Sequence, residues 1–207
     1  MAQRKDGKKT RALLLNAACE IFGKKGFRDA KVTEICRQAG TNVAAVNYHF
    51  GSKAALYVEA WREAFERDVV PDPPESETDP PEARLRERVY LMLQKFCDQG
   101  SRGQFIRLYL MELANPTGLI DESWRRLIEP KRLQFQKLLR ELLGPAASEE
   151  AVLLCELSIL NQCRGFIILR RNDLEYFLKR PLTPEAIRQM ADHITRFSLA
   201  GIHDMVG

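Results

Sequence analysis

The sequence predicts an all-α protein. Apolar residues recur at helical spacing along most of the chain, and no Asn-Gly or Asp-Gly pair stands between alternating apolar runs as a hairpin would require. Composition agrees. The chain has 207 residues, 45% of them apolar and 29% charged, which is ordinary globular usage and excludes collagen-like and wholly disordered chains.

The elements follow in order. From Lys8, residues Leu14, Ala17, Ala18, Ile21 and Phe22 repeat at i, i+3, i+4, i+7 and i+8, giving an amphipathic helix that stops at Gly26. Val32, Ile35, Cys36 and Ala39 mark a short helix stopped by Gly40, and Val43, Val46 and Phe50 mark another, closed by Gly51-Ser52. A longer helix is expected from Lys53 to about Val70. Residues 71–81 hold five of the ten prolines and four acids, so they read as an acidic loop. Further helices are expected near 83–98, 102–114, 119–143, 148–171 and 184–206. Ser101-x-x-Gln104 has the form of a capping box, and Thr183-Pro184-Glu185 sets a cap, an N1 proline and a first-turn acid in succession.

Charge divides the chain. Residues 1–53 carry eleven Lys and Arg against four Asp and Glu, whereas residues 54–207 carry twenty-one against twenty-four. A basic end on a slightly acidic body is expected where one end meets a polyanion. The five cysteines form no C-x-x-C pair, which points to a reducing compartment without a disulfide framework or zinc module. The apolar run before Cys19 is too short for an export signal, and no stretch reaches about 18 uninterrupted apolar residues, so no membrane partner and a cytoplasmic location are expected.

Two short helices joined by Gly40-Thr41-Asn42, after a longer helix and a basic leader, have helix-turn-helix proportions. At 100° per residue, Val43, Val46 and Phe50 form the expected core face of the second short helix. Thr41, Ala44, Ala45 and Tyr48 then face outward, and Asn47 sits at the edge of the core face. Two alanines, a threonine and a tyrosine are unusual on a solvated face. They suit a helix in the major groove, where small side chains permit close approach, methyls touch thymine and a tyrosine hydroxyl bonds a phosphate. Asn47 is placed either to reach a base edge or to cap local backbone.

The run Val32-Thr33-Glu34-Ile35-Cys36-Arg37-Gln38-Ala39-Gly40, then Thr41 to Phe50, then Gly51-Ser52-Lys53-Ala54-Ala55-Leu56, resembles the amino-terminal domain of the TetR/AcrR family of bacterial repressors. The resemblance covers roughly residues 8–56. It implies phosphate contacts from Thr33, Tyr48, His49 and Lys53, and a leader, including Lys9, that reaches the neighbouring minor groove. Asn47 departs from the family's common tyrosine. Shorter cues, Glu112 to Thr117, Ser158 to Cys163 and Phe197 to Ile202, resemble a CecR-type carboxy-terminal domain. The expected DNA-binding set is therefore Lys9, Thr33, Thr41, Asn42, Ala44, Ala45, Asn47, Tyr48, His49 and Lys53, in a domain of residues 1–53.

Residues 54–207 are expected to bind an effector and to dimerise. The helix at 148–171 is apolar nearly all round and so is expected to be buried on two sides. Leu157, Leu160 and Phe166 from it, with Ile187, Met190, Ile194, Phe197 and Gly201 from the last helix, either pack one chain's core or, as the resemblance implies, build a homodimer seam. Trp61, Phe65, Phe105 and Tyr109 are core or line an effector pocket, with Glu112 and Gln162 as polar groups to orient a small molecule. The three histidines form no cluster, and no H-E-x-x-H, G-x-S-x-G or phosphate-cradling loop occurs. A non-enzymatic regulator without metal or cofactor is expected, with a non-specific architectural DNA binder as the rival reading.

Overall fold

The computed structural model describes residues 2–68, 78–97, 103–169 and 171–206, with side chains from residue 6 to residue 205. Residues 71–77 of the expected acidic loop and Ser101 of the expected capping box lie outside the described residues. The described residues form helices α1 (Ala2–Asp29), α2 (Val32–Gln38), α3 (Val43–Phe50), α4 (Lys53–Asp68), α5 (Pro81–Cys97), α6 (Gln104–Ala114), α7 (Asp121–Leu127), α8 (Glu129–Leu143), α9 (Glu149–Ile168), α10 (Arg171–Leu178) and α11 (Pro184–Val206). No strand occurs among them, as the periodicity predicts.

Where prediction and structure part, the causes are local. Gly26 does interrupt the first helix, at φ 72°, but helical backbone resumes as far as Asp29. The stretch expected as one helix over 119–143 is two, α7 and α8, parted at Ile128. Pro130 lies at the start of α8, and its missing N–H and bulky ring are accommodated only in a first turn. Helix α10 has a single buried residue, Leu174, so its sequence lacks the repeat that reveals longer helices. The Ser148 and Thr183 side chains accept from Ala151 N–H at 3.1 Å and Ala186 N–H at 3.2 Å, the bonds that start α9 and α11.

Packing groups the helices into two compact units, Met1–Val70 with Gly100–Arg126, and Pro71–Gln99 with Leu127–Gly207. This grouping differs from a division between residues 53 and 54, because α4 and α6 pack on α1. The interior of the first unit is built from Leu14, Ala18, Phe22, Ile35, Leu56, Trp61 and Leu108, all fully buried. Gly23 lets α1 and α6 approach closely, since a Cβ there would stand 3.3 Å from Arg107 Cβ.

In the second unit α5, α8, α9 and α11 enclose Leu85, Val89, Leu93, Leu138, Leu139, Ile159 and Ala191. Glu156 of α9 is wholly buried there. It accepts from Arg132 at 2.6 and 3.0 Å and from Gln136 at 2.6 Å, so its charge is neutralised and both oxygens are bonded. Helix α9 is long and apolar enough to cross a membrane by length and composition, unlike what the broken apolar run predicts. Its ion pair through buried Glu156 and its packing on α5, α8 and α11 set one side of it in the core of the second unit.

Candidate functional site

Helix α3 is held by α1, α2 and α4. The turn before it uses Gly40 at φ +65°, a left-handed conformation that brings Thr41 N–H to Cys36 C=O at 2.9 Å. Asn42 then caps α3, its Oδ1 accepting from Ala45 N–H at 3.1 Å. Val46 is the one fully buried residue of the helix. Ala44, Asn47 and Tyr48 are exposed, Tyr48 by 84%, while Thr41, Ala45, His49 and Phe50 are half-buried.

Four wheel-based placements need correction: Thr41 and Ala45, expected to face outward, are half-buried. Val43, expected in the core, is 41% exposed, and Asn47 is exposed instead of standing at the core edge. Burial is directed by Val46 toward Ala45, His49 and Phe50, which turns the outward face onto Val43, Ala44, Asn47 and Tyr48. Periodicity missed Val43 because an apolar residue at a helix start carries no mark of its direction.

The other expected contacts surround this face. Thr33 is exposed on α2, and Lys9 is exposed on α1. The α1 backbone at Gly7 stands beside His49, where a Cβ would lie 3.8 Å from Cε1. Tyr48 and Phe50 flank the His49 ring at 4.9 and 6.2 Å. Lys53 Nζ donates to Arg28 C=O at 3.2 Å and lies 4.7 Å from the centre of the Phe27 ring. An ammonium has three donors, so this seat fixes Lys53 and leaves capacity for an anion.

Two acids of this unit, Glu34 and Glu20, are occupied. Lys25 donates to both oxygens of Glu34 at 2.8 Å, and this bond holds the Glu34 carboxyl below its ordinary pKa. Gln38 donates to Glu20 at 2.7 Å. Lys24, Arg28, Lys31 and Arg37 are exposed in the same unit, which presents a basic surface.

Within that unit the four predicted aromatic pocket residues do meet. Trp61 lies 6.1 Å from Phe65 and 5.0 Å from Phe105, and Phe105 lies 6.2 Å from Tyr109. A fifth ring, missed in the sequence, is Trp124 of α7, stacked on Tyr109 at 5.3 Å. Its signal was a lone aromatic in a charged segment, Asp121-Glu122-Ser123-Trp124-Arg125-Arg126. Trp61 is wholly buried, and its Nε1 has no hydrogen-bond partner. A buried donor left unmade costs roughly 1–3 kcal/mol.

The two predicted polar pocket residues do not join these rings as free groups. Glu112 accepts from Tyr57 Oη at 2.7 Å and from Thr117 N–H at 2.7 Å, with Thr117 Oγ1 at 2.9 Å, so both oxygens serve the fold. Burial first, and the Glu112 carboxylate second, raise the Tyr57 pKa. Gln162 belongs to the other unit, where it donates to Ser198 Oγ and Ser158 C=O at 3.3 Å.

A family model described as the CecR carboxy-terminal domain matches residues 81–202, and the model for bacterial regulatory proteins of the tetR family matches residues 14–60. The chain belongs to the TetR family. The regulator RutR of Escherichia coli strain K12 is 32% identical over 123 residues, an alignment spanning 56% of this chain and 57% of RutR. The dual regulator CecR of Shigella flexneri is 26% identical over 171 residues, 77% of this chain and 76% of CecR. The fold is shared with a transcriptional regulator of Rhodococcus sp. Rha1, at TM-score 0.66 and 18% identity, covering 92% of this chain and 96% of that one. The match over residues 14–60 contains every predicted DNA-binding residue except Lys9, and the match over residues 81–202 contains the predicted dimer residues.

Those dimer residues separate in this TetR-family chain. Phe197 (66%), Leu157 (40%) and Gly201 are exposed, and they continue into exposed Leu153 and Leu154. Leu160, Phe166 and Ile187 are half-buried. Met190 and Ile194 are buried in the chain's own core cluster, so their apolar surface is already covered. Helix α9, expected to be buried on two sides, therefore keeps one apolar side uncovered.

No set of three or more His, Cys, Asp or Glu side chains able to hold a metal occurs among the described residues. All five cysteines are buried thiols. Burial pushes Cys19 and Cys163 up to about 12 and Cys97 to about 11, leaving them poor nucleophiles.

Proposed function

We propose that this TetR-family chain is a cytoplasmic, homodimeric regulator that binds a palindromic operator, represses from it and is released by a small-molecule effector, with no catalytic step of its own. The observation that carries the reading is the exposed face of α3. Val43, Ala44, Asn47 and Tyr48 offer two apolar contacts, one amide and one hydroxyl where a solvated helix would present charges. Thr33, Thr41, Asn42, Ala45, His49, Lys53 and Lys9 surround it as backbone-contacting or positioning residues. The DNA-binding role is assigned to residues 1–53, and effector binding and dimerisation to residues 54–207.

Two copies of α3 would enter successive major grooves about 34–36 Å apart. The exposed apolar face of α9 and α11 supports a symmetric pairing of two chains. An effector releases DNA only to the extent that it binds the non-binding geometry more tightly, and the operator weakens effector binding by the same factor.

The test is selection of bound duplexes from a random pool at fixed salt. The expected product is an inverted repeat bound at least about 10³-fold more tightly than unselected duplex. Enrichment of no sequence would overturn the operator reading in favour of non-specific binding.

A further inference from the structure

Both tryptophans of the chain stand in one aromatic cluster, and the pair is chemically unbalanced. Trp61 is wholly buried with an unpartnered Nε1–H. Its ring neighbours are Phe65, Phe105 and, at 6.4 Å, Trp124. Phenyl faces are only weak π acceptors and an indole N–H only donates, so none of these side chains offers Trp61 Nε1–H a lone pair. Trp124 lies nearly flat on Tyr109, with 11° between the ring planes. It belongs to α7, in which no residue is fully buried. The cluster is thus closed by a flat bicyclic ring on a weakly anchored helix.

We propose that Trp124 occupies the seat of a flat, bicyclic aromatic ligand carrying a hydrogen-bond acceptor, which stacks on Tyr109 and accepts from Trp61 Nε1–H. This deepens the effector reading and rests on it. Exchange of one flat ring for another on Tyr109 is close to balanced, because both bury similar apolar area. The acceptor adds what Trp124 lacks, a partner for the buried donor.

The test uses the full chain and two probes of one shape, quinoline and naphthalene, which differ by a single ring nitrogen. Calorimetric titration at pH 7.5 is expected to show quinoline binding about tenfold more tightly than naphthalene, the ratio of one net hydrogen bond. Trp61→Phe keeps a ring in place and should remove that ratio while leaving naphthalene unchanged. Trp124→Ala should tighten both probes, since the seat is then vacant. Equal affinity of the two probes for the natural chain, no binding of quinoline, or weakening of both probes by Trp124→Ala would each overturn the proposal.

A folding-independent check is the pair of indole N–H signals in ¹⁵N-labelled natural protein. Quinoline should shift the Trp61 signal downfield and naphthalene should not; an unmoved signal at quinoline saturation counts against the site. Titration needs no DNA. A chain that binds quinoline as expected but selects no duplex refutes the operator reading alone.

Discussion

Lys53 shows how much a single side chain is asked to do at this surface. Its ammonium is held between the Phe27 ring and the Arg28 carbonyl, both near the end of α1, while it opens α4. A helix start already favours an anion, and a seated lysine there adds charge at little further entropic expense. Lys53→Ala should weaken binding to every duplex sequence alike. It should also reduce the slope of log affinity against log salt by about 0.9 for one lost phosphate contact. Fluorescence anisotropy with operator and scrambled duplexes reads both quantities; loss confined to the operator would mean that Lys53 reads bases. At this scale the sequence was legible where chemistry is local. Asn42, Tyr48 and Lys53 are where turn and helix signals put them. Val43 was not legible, because an eight-residue helix with one buried anchor leaves its rotation to the neighbouring helices.

Between elements, the informative contact is Asp68 at the end of α4. Its carboxylate accepts from Phe105 N–H at 2.7 Å, in the first turn of α6, and is paired with Arg67 at 3.3 Å. Burial outweighs both partners and raises the Asp68 pKa. A carboxyl whose folded pKa is raised contributes stability when protonated and loses it as pH climbs through the folded value. Asp68→Asn keeps an acceptor for Phe105 N–H and does not titrate. Its melting temperature relative to the natural chain should therefore be higher at pH 7.5 than at pH 4.5. Thermal melts at the two pH values decide this; an unchanged difference would mean that burial does not govern Asp68. No sequence pattern announced this link, since the two residues lie 37 positions apart. Helix existence was readable from periodicity, with α10 and the α7–α8 break as exceptions. Long-range polar partners such as Tyr57 with Glu112 were not, because periodicity reports which face is apolar and not what it meets.

For the molecule as a whole, the unresolved quantity in the sequence was how much apolar surface one chain is able to cover. Residue types alone made Met190, Ile194, Leu157 and Phe197 equivalent. The fold separates them, burying the first two and exposing the last two. Phe197 is 66% exposed on α11 and lies 6.4 Å from His193 on the same helix. A two-fold axis through this face would place each Phe197 against the partner copy of the same surface. Phe197→Asp then sets an unpaired charge at an apolar contact in both chains at once, while in the lone chain it only replaces one exposed side chain by another. Dimerisation should fail with the melting temperature of the monomer preserved. Loss of the second half-site should weaken operator binding by on the order of 10³ and leave binding to non-specific duplex nearly unchanged. Sedimentation at micromolar concentration and operator titration measure the two effects on one preparation. A variant that remains a dimer places the seam elsewhere. A monomer that keeps full operator affinity removes the reason for two reading helices, and with it the palindromic operator.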